Sequence, residues 1–166
     1  LTIGKDLVIN GTLTMPTVAG GDVYVGRNWN RNATGVFTDN DRAVFFNGSD
    51  NGTITANGGQ YFPYIYLTKT ALANTVSLVD HISVGKEFSV TTGTFELANR
   101  NATLLSTATN TASFGKVGAS GDVSYSGTGR FIVERYLPTG TLGGQHTKSW
   151  QFLAVPTNGG QTINAA

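Results

Sequence analysis

Apolar and polar residues alternate in short stretches along most of the chain, which is the two-residue period of half-buried strands. The alternation is plainest at Leu1-Thr2-Ile3, Val23-Tyr24-Val25, Ile82-Ser83-Val84 and Phe88-Ser89-Val90. It predicts further strands over 11–15, 36–38, 43–46, 53–55, 61–67, 75–78, 94–97, 123–125, 131–136 and 150–155. Turn clusters separate them: Asn10-Gly11, Gly20-Gly21-Asp22, Asn47-Gly48, Asn57-Gly58-Gly59 and Gly143-Gly144. Between residues 69 and 81 the Thr and Val content argues against a helix. The chain reads as all-β.

One phrase recurs. "LTIGKDLVI" occupies residues 1–9, "VYVGRNW" 23–29 and "ISVGKEFSV" 82–90. Each copy is followed by a glycine and another strand, at Gly11, Gly35 and Gly93. The first two copies start 22 residues apart, close to the length of one coil of a β-solenoid, and the 59 residues to the third leave room for three more coils. The expectation is a parallel β-solenoid (β-helix) over residues 1–128, with coils stacked at about 4.8 Å. The alternative is an antiparallel β-sandwich, in which Gly-Lys is a hairpin turn with Gly at positive φ. Composition shifts near Gly127-Thr128-Gly129, and "RFIVERYLP" then brings large apolar and charged residues together. Residues 129–166 are therefore expected to begin a further β module. The phrase opens at residue 1, which is Leu, so a processed or partial piece of a longer polypeptide is expected.

Composition narrows the function classes. Only 13% of residues are charged, about half the usual share of roughly 25%, and the net charge is +1. With no basic run, neither nucleic acid nor an anionic membrane is expected, and apolar runs such as Val44-Phe45-Phe46 fall far short of the roughly 20 residues a membrane helix needs, so membrane insertion is not expected. The absence of Cys removes disulfides, thiolate metal sites and Cys nucleophiles.

Chemistry-bearing clusters are few. Asp39-Asn40-Asp41-Arg42 is the densest charged stretch, and Asn47-Gly48-Ser49-Asp50-Asn51-Gly52 imitates a calcium loop. The bidentate Glu of such a loop is missing, because its twelfth position is Gly58. Asp39, Asp41 and Asp50 are thus candidates for weak calcium binding, and no other cofactor is expected. His81 and His146 lack metal-ligand spacing, and no nucleophile motif or phosphate loop occurs, so no catalytic residue is assigned. Tyr64 and Tyr66 share a strand face and, with Trp29, form a candidate glycan-binding face. The plainer reading of the same tyrosines is that their rings cover a polar flank.

Phe46-Asn47-Gly48 with Thr53-Ile54, Leu67-x-Lys69, Val76-x-Leu78 and Ile82-x-Val84 with Phe88 and Gly93 resemble a repeat region of large secreted surface proteins of the Bacteroidota. Many of these are exported by the type IX secretion system. The tail "GRFIVERYLP", "SWQFLAVP" and "GQTINAA" is similar to the segment that often follows such repeats. The resemblance implies a secreted or bacterial cell-surface location and a non-enzymatic structural or adhesive role, such as a stiff spacer or adhesin stalk. Its expected partners are other modules of the same polypeptide, surface or secretion machinery proteins, and glycans. A carbohydrate-binding module is the alternative, followed by a polysaccharide-degrading β-helix enzyme.

Overall fold

The computed structural model describes residues 1–136. They form a parallel β-solenoid of about 5 turns, each turn laying short strands on three faces. The first turn holds β1 (Thr2–Ile3), β2 (Leu7–Ile9) and β3 (Thr12–Thr14), and the second β4 (Val23–Val25), β5 (Trp29–Arg31) and β6 (Val36–Thr38). Next come β7 (Ala43–Phe46) and β8 (Gly52–Thr55). Then β9 (Gln60–Thr68) rounds a corner at Pro63, and β10 (Thr75–Leu78) follows. The 15-residue β11 (Ile82–Glu96) crosses three faces without a break. The chain continues through β12 (Ala102–Leu104), β13 (Ser113–Phe114), β14 (Ser120–Ser124) and β15 (Phe131–Val133). No helix occurs among the described residues, and none is long and apolar enough to cross a membrane.

Every ladder between these strands is parallel, and the one antiparallel pairing among the described residues is an isolated bridge from Ser106 to Thr111. That excludes the sandwich. On the first face the inward row Val23, Val44, Ile65, Phe88 lies beside a second row Val25, Phe46, Leu67, Val90. All eight are 0% exposed. Each such side chain stabilises the fold by roughly 1.5–3 kcal/mol relative to exposure. Aliphatics at every second position therefore produce one continuous core by simple stacking.

Corners are pinned from coil to coil. Asp6 accepts from the Asn28 N–H at 3.2 Å, and Asn28 Oδ1 accepts from the Thr53 N–H at 2.9 Å. Asn51 does the same for Thr75 at 2.9 Å, and Asn101 for Arg130 at 3.0 Å. Corner backbone turns away from the ladder, so short amide and carboxylate side chains supply the missing acceptors.

Two features add to the sequence pattern. The first two copies of the phrase are in register, with Thr2 beside Tyr24 and Leu7 beside Trp29. In the third copy Ile82 pairs with Gln60 on the third face, and Phe88 pairs with Ile65 on the first. The phrase therefore marks a corner, not a fixed phase of the coil. The stack also runs on past residue 128. Strand β15 stacks on β12, Phe131 packs on Phe88 at 5.0 Å, and the compact unit extends through Tyr136.

Candidate ligand-binding face

Two outward rows run along the first face. One reads Thr2, Tyr24, Phe45, Tyr66, Ser89, and the other Ala43, Tyr64, Glu87, Ser113, with Asp22 at the foot of the second. Tyr24 and Phe45 stack with centroids 4.7 Å apart and planes 12° from parallel, and Phe45 and Tyr66 at 4.9 Å and 25°. These spacings are close to the 4.7–4.9 Å between hydrogen-bonded strands, so the rings inherit their stacking from the ladder. Both faces of Phe45 are thereby occupied by neighbouring rings.

Ala43 is the small residue in the second row, and it leaves a notch. The open groove there, about 310 Å³, is lined by Asp22, Asp41, Ala43, Phe45, Tyr64 and Tyr66. Tyr64 lies nearly parallel to Tyr66, with centroids 6.3 Å apart. The Tyr66 hydroxyl donates to Glu87 Oε2 at 3.2 Å, and burial, reinforced by the Glu87 charge, pushes its pKa up to about 12. Asp22 Oδ1 accepts the Ala43 N–H at 2.9 Å, which holds this carboxylate at the foot of the notch.

The lip is the loop before β7. Asn40 and Asp41 adopt positive φ, 46° and 60°, a region that Asn and Asp tolerate better than most residues. Asp39 Oδ1 accepts the Asp41 N–H at 2.9 Å, and Asn40 Nδ2 donates to the Met15 carbonyl at 2.5 Å. So held, Asp41 meets Lys86 Nζ at 3.0 Å, and the same ammonium lies 5.4 Å from the Tyr64 ring centroid. Hydrogen bonding to Asp41 raises the pKa of Lys86.

The structure separates the sequence candidates. Tyr64 and Tyr66 share the outward face as expected. Trp29 does not join them: it is 0% exposed, aligned with Leu7 and Ile54, and packed on Phe37 at 4.8 Å and Phe62 at 5.1 Å. It occupies the last apolar position of the phrase, where Leu7 and Phe88 are also buried, and that alignment was the available signal. Asp39 and Asp41 share the lip, while Asp50 lies beyond the other end of β7 and pairs with Lys5. The three do not form one ligand set, and no cluster of three metal-ligating side chains occurs among the described residues. His146 lies outside the described residues. Sequence reasoning missed Asp22, Phe45, Lys86 and Glu87, which become neighbours only when positions one coil apart are superposed.

A second polar feature sits at a corner. Lys69 is 3% exposed and donates from Nζ to the carbonyls of Gly26 at 2.8 Å and Asn47 at 2.7 Å. Burial pushes its pKa down to about 8, against a smaller opposing pull from Asp50. It clamps two preceding coils through their main chain. No protein-family model matches the chain, and neither a curated protein nor a solved structure matches it.

Proposed function

We propose that this chain is a non-enzymatic structural segment of a large secreted surface protein, acting as a stiff spacer or adhesin stalk. The observation that carries the reading is the parallel stack of coils from β1 to β15, continuous on two faces and broken on the third only where β3 and β6 form their own two-stranded sheet, with corners bonded coil to coil. Such a stack transmits load along its axis through many short ladders loaded together, and neighbouring modules of the same polypeptide are its partners. The resemblance of the repeat residues to type IX secretion substrates of the Bacteroidota supports the extracellular placement. Electron microscopy of the intact parent protein, taken from producing cells, tests it. Long thin rods at the surface are expected, and a compact particle would overturn the spacer role.

The groove over Ala43 favours a second reading, a carbohydrate-binding module. Tyr64 and Tyr66 offer hydroxyls and partly exposed rings beside the carboxylates of Asp22 and Asp41. Affinity electrophoresis through polysaccharide gels checks this reading. Retention that disappears in the Tyr64→Ala/Tyr66→Ala variant is expected, and unchanged retention would remove these residues from the site.

A further inference from the structure

The groove carries an imbalance that a neutral sugar does not explain. The charged groups on its floor and rim are Asp22, Asp39, Asp41 and Glu87 against Lys86 and Arg42. Arg42 is turned to the loop, donating to the Asn40 carbonyl at 3.2 Å, which leaves Lys86 as the cation facing the rings. Phe45, between Tyr24 and Tyr66, has no free face for a sugar to stack on. Tyr64 differs, because an ammonium already sits over its ring.

We propose that the notch over Ala43 binds the protonated amine of an amino sugar in an oligosaccharide, and that Lys86 is a built-in occupant which this amine displaces. The proposal rests on the carbohydrate-binding reading and names its ligand class. Lys86 marks where a cation is accepted, 3.0 Å from Asp41 and 5.4 Å from the Tyr64 centroid. Its hold is weak, since the side chains of Lys86 and Asp41 are 33% and 59% exposed and water competes for both. A ligand amine in the same place gains the same carboxylate and ring contacts, and brings the Asp22 carboxylate into play from the foot of the notch. The ring carrying that amine lies along the Ala43 floor, where the Tyr64 and Tyr66 hydroxyls and Glu87 meet its hydroxyl groups. A flexible basic peptide would use the charge but not this row of hydroxyl partners.

Calorimetric titration of the 166-residue chain at low salt, with a glucosamine hexamer and an N-acetylglucosamine hexamer, tests the proposal. The free-amine form is expected to bind about tenfold tighter, the equivalent of one desolvated cation contact. Lys86→Gln should tighten it further, by roughly threefold to fivefold, because the internal competitor is gone. Asp41→Asn and Asp22→Asn should weaken it by similar factors. In the second variant the amide oxygen can still accept the Ala43 N–H, so an unchanged melting temperature separates binding from folding. Equal affinity for the two hexamers overturns amine recognition and leaves the carbohydrate reading standing. Weaker binding in Lys86→Gln overturns the displacement. Hexalysine binding as tightly as the glucosamine hexamer overturns the sugar assignment. Silence from both hexamers overturns the proposal, and polysaccharide-gel retention then judges the carbohydrate reading by itself.

Discussion

Gly26 and Gly85 hold the same place in two copies of one phrase, yet they face different neighbours. A Cβ on Gly26 would lie 2.1 Å from the Gly4 carbonyl oxygen, main chain against main chain at the first-to-second-face corner. A Cβ on Gly85 would lie 2.1 Å from the Tyr61 hydroxyl, at the third-to-first-face corner. One corner is closed by backbone and the other by the far end of a side chain. The phrase thus specifies a bend between two inward aliphatic strands, and the coil beneath decides what the bend rests on.

That difference sets the largest expected effect. Gly26→Ala forces two backbone segments apart: the Gly26 segment is held from the other side by the ladders of β4 to β7 and β5 to β8, while the Gly4 segment joins β1 and β2, which among the described residues pair with β4 and β5 alone. Destabilisation of about 3 kcal/mol is expected, at the upper end for overpacking. Urea denaturation followed by circular dichroism measures it. A loss below about 1 kcal/mol would mean that this corner yields and the contrast fails.

Lys69 clamps the backbone-closed corner and gives a pH signature. Unfolded, its amine holds its proton up to the ordinary value of 10.5, and folded it releases it from about 8. Between those values the unfolded chain binds more protons, so stability rises with pH across the window. The rise expected from Lys69 alone is at most roughly 3 kcal/mol, from 1.36 kcal/mol per pKa unit, and smaller where solvent reaches the ammonium. Tyr66 acts in the opposite sense above pH 10, because its folded pKa is raised to about 12. Comparing unfolding free energies of the parent chain and Lys69→Met at pH 7.5 and 9.5 isolates the lysine. Parallel pH profiles would show that burial of this amine is not what sets its titration.

Legibility followed the same division. Period-two alternation exposed the strand pattern because each strand buries one side, and Val36–Thr38, Ala43–Phe46 and Thr75–Leu78 emerged with the bounds expected. Face assignment was not legible, since all three faces ask for the same inward aliphatics. That hid the one-face offset of Ile82 to Val90 and the inward position of Trp29. At the composition shift near residue 128, a Cβ on Gly129 would lie 2.2 Å from the Arg100 carbonyl oxygen. This stretch is one more corner packed on the coil before it. The groove was half legible: Tyr64 and Tyr66 are neighbours on one strand, whereas Asp22, Phe45 and Lys86 arrive from other coils.

Gly85→Ala should cost less than Gly26→Ala, about 1 kcal/mol, because Tyr61 is 40% exposed and its ring can swing into solvent. A double-mutant cycle with Tyr61→Ser sharpens the test. In that background the added methyl meets no ring, and its penalty should fall close to zero. A penalty that persists unchanged would assign the strain to the backbone of Gly85, making the two corners alike.

The smallest effect belongs to the ion pair beside the first corner. Lys5 and Asp50 meet across two coils, but their side chains are 67% and 35% exposed. Asp50 has its pKa lowered, first by its hydrogen bond to Lys5. Because that pKa is depressed on folding, its contribution is present above the unfolded carboxylate value of 3.8 and fades as pH falls through the folded one. Water and salt screen such a pair, so Lys5→Gln should cost less at pH 7 than either glycine substitution, and less again in 1 M salt. Denaturation of this variant at low and high salt, beside Gly26→Ala, compares an ion pair that spans two coils with a close backbone approach between adjacent ones. A larger loss from Lys5→Gln than from Gly26→Ala would mean that charge, and not close backbone approach, holds this corner together.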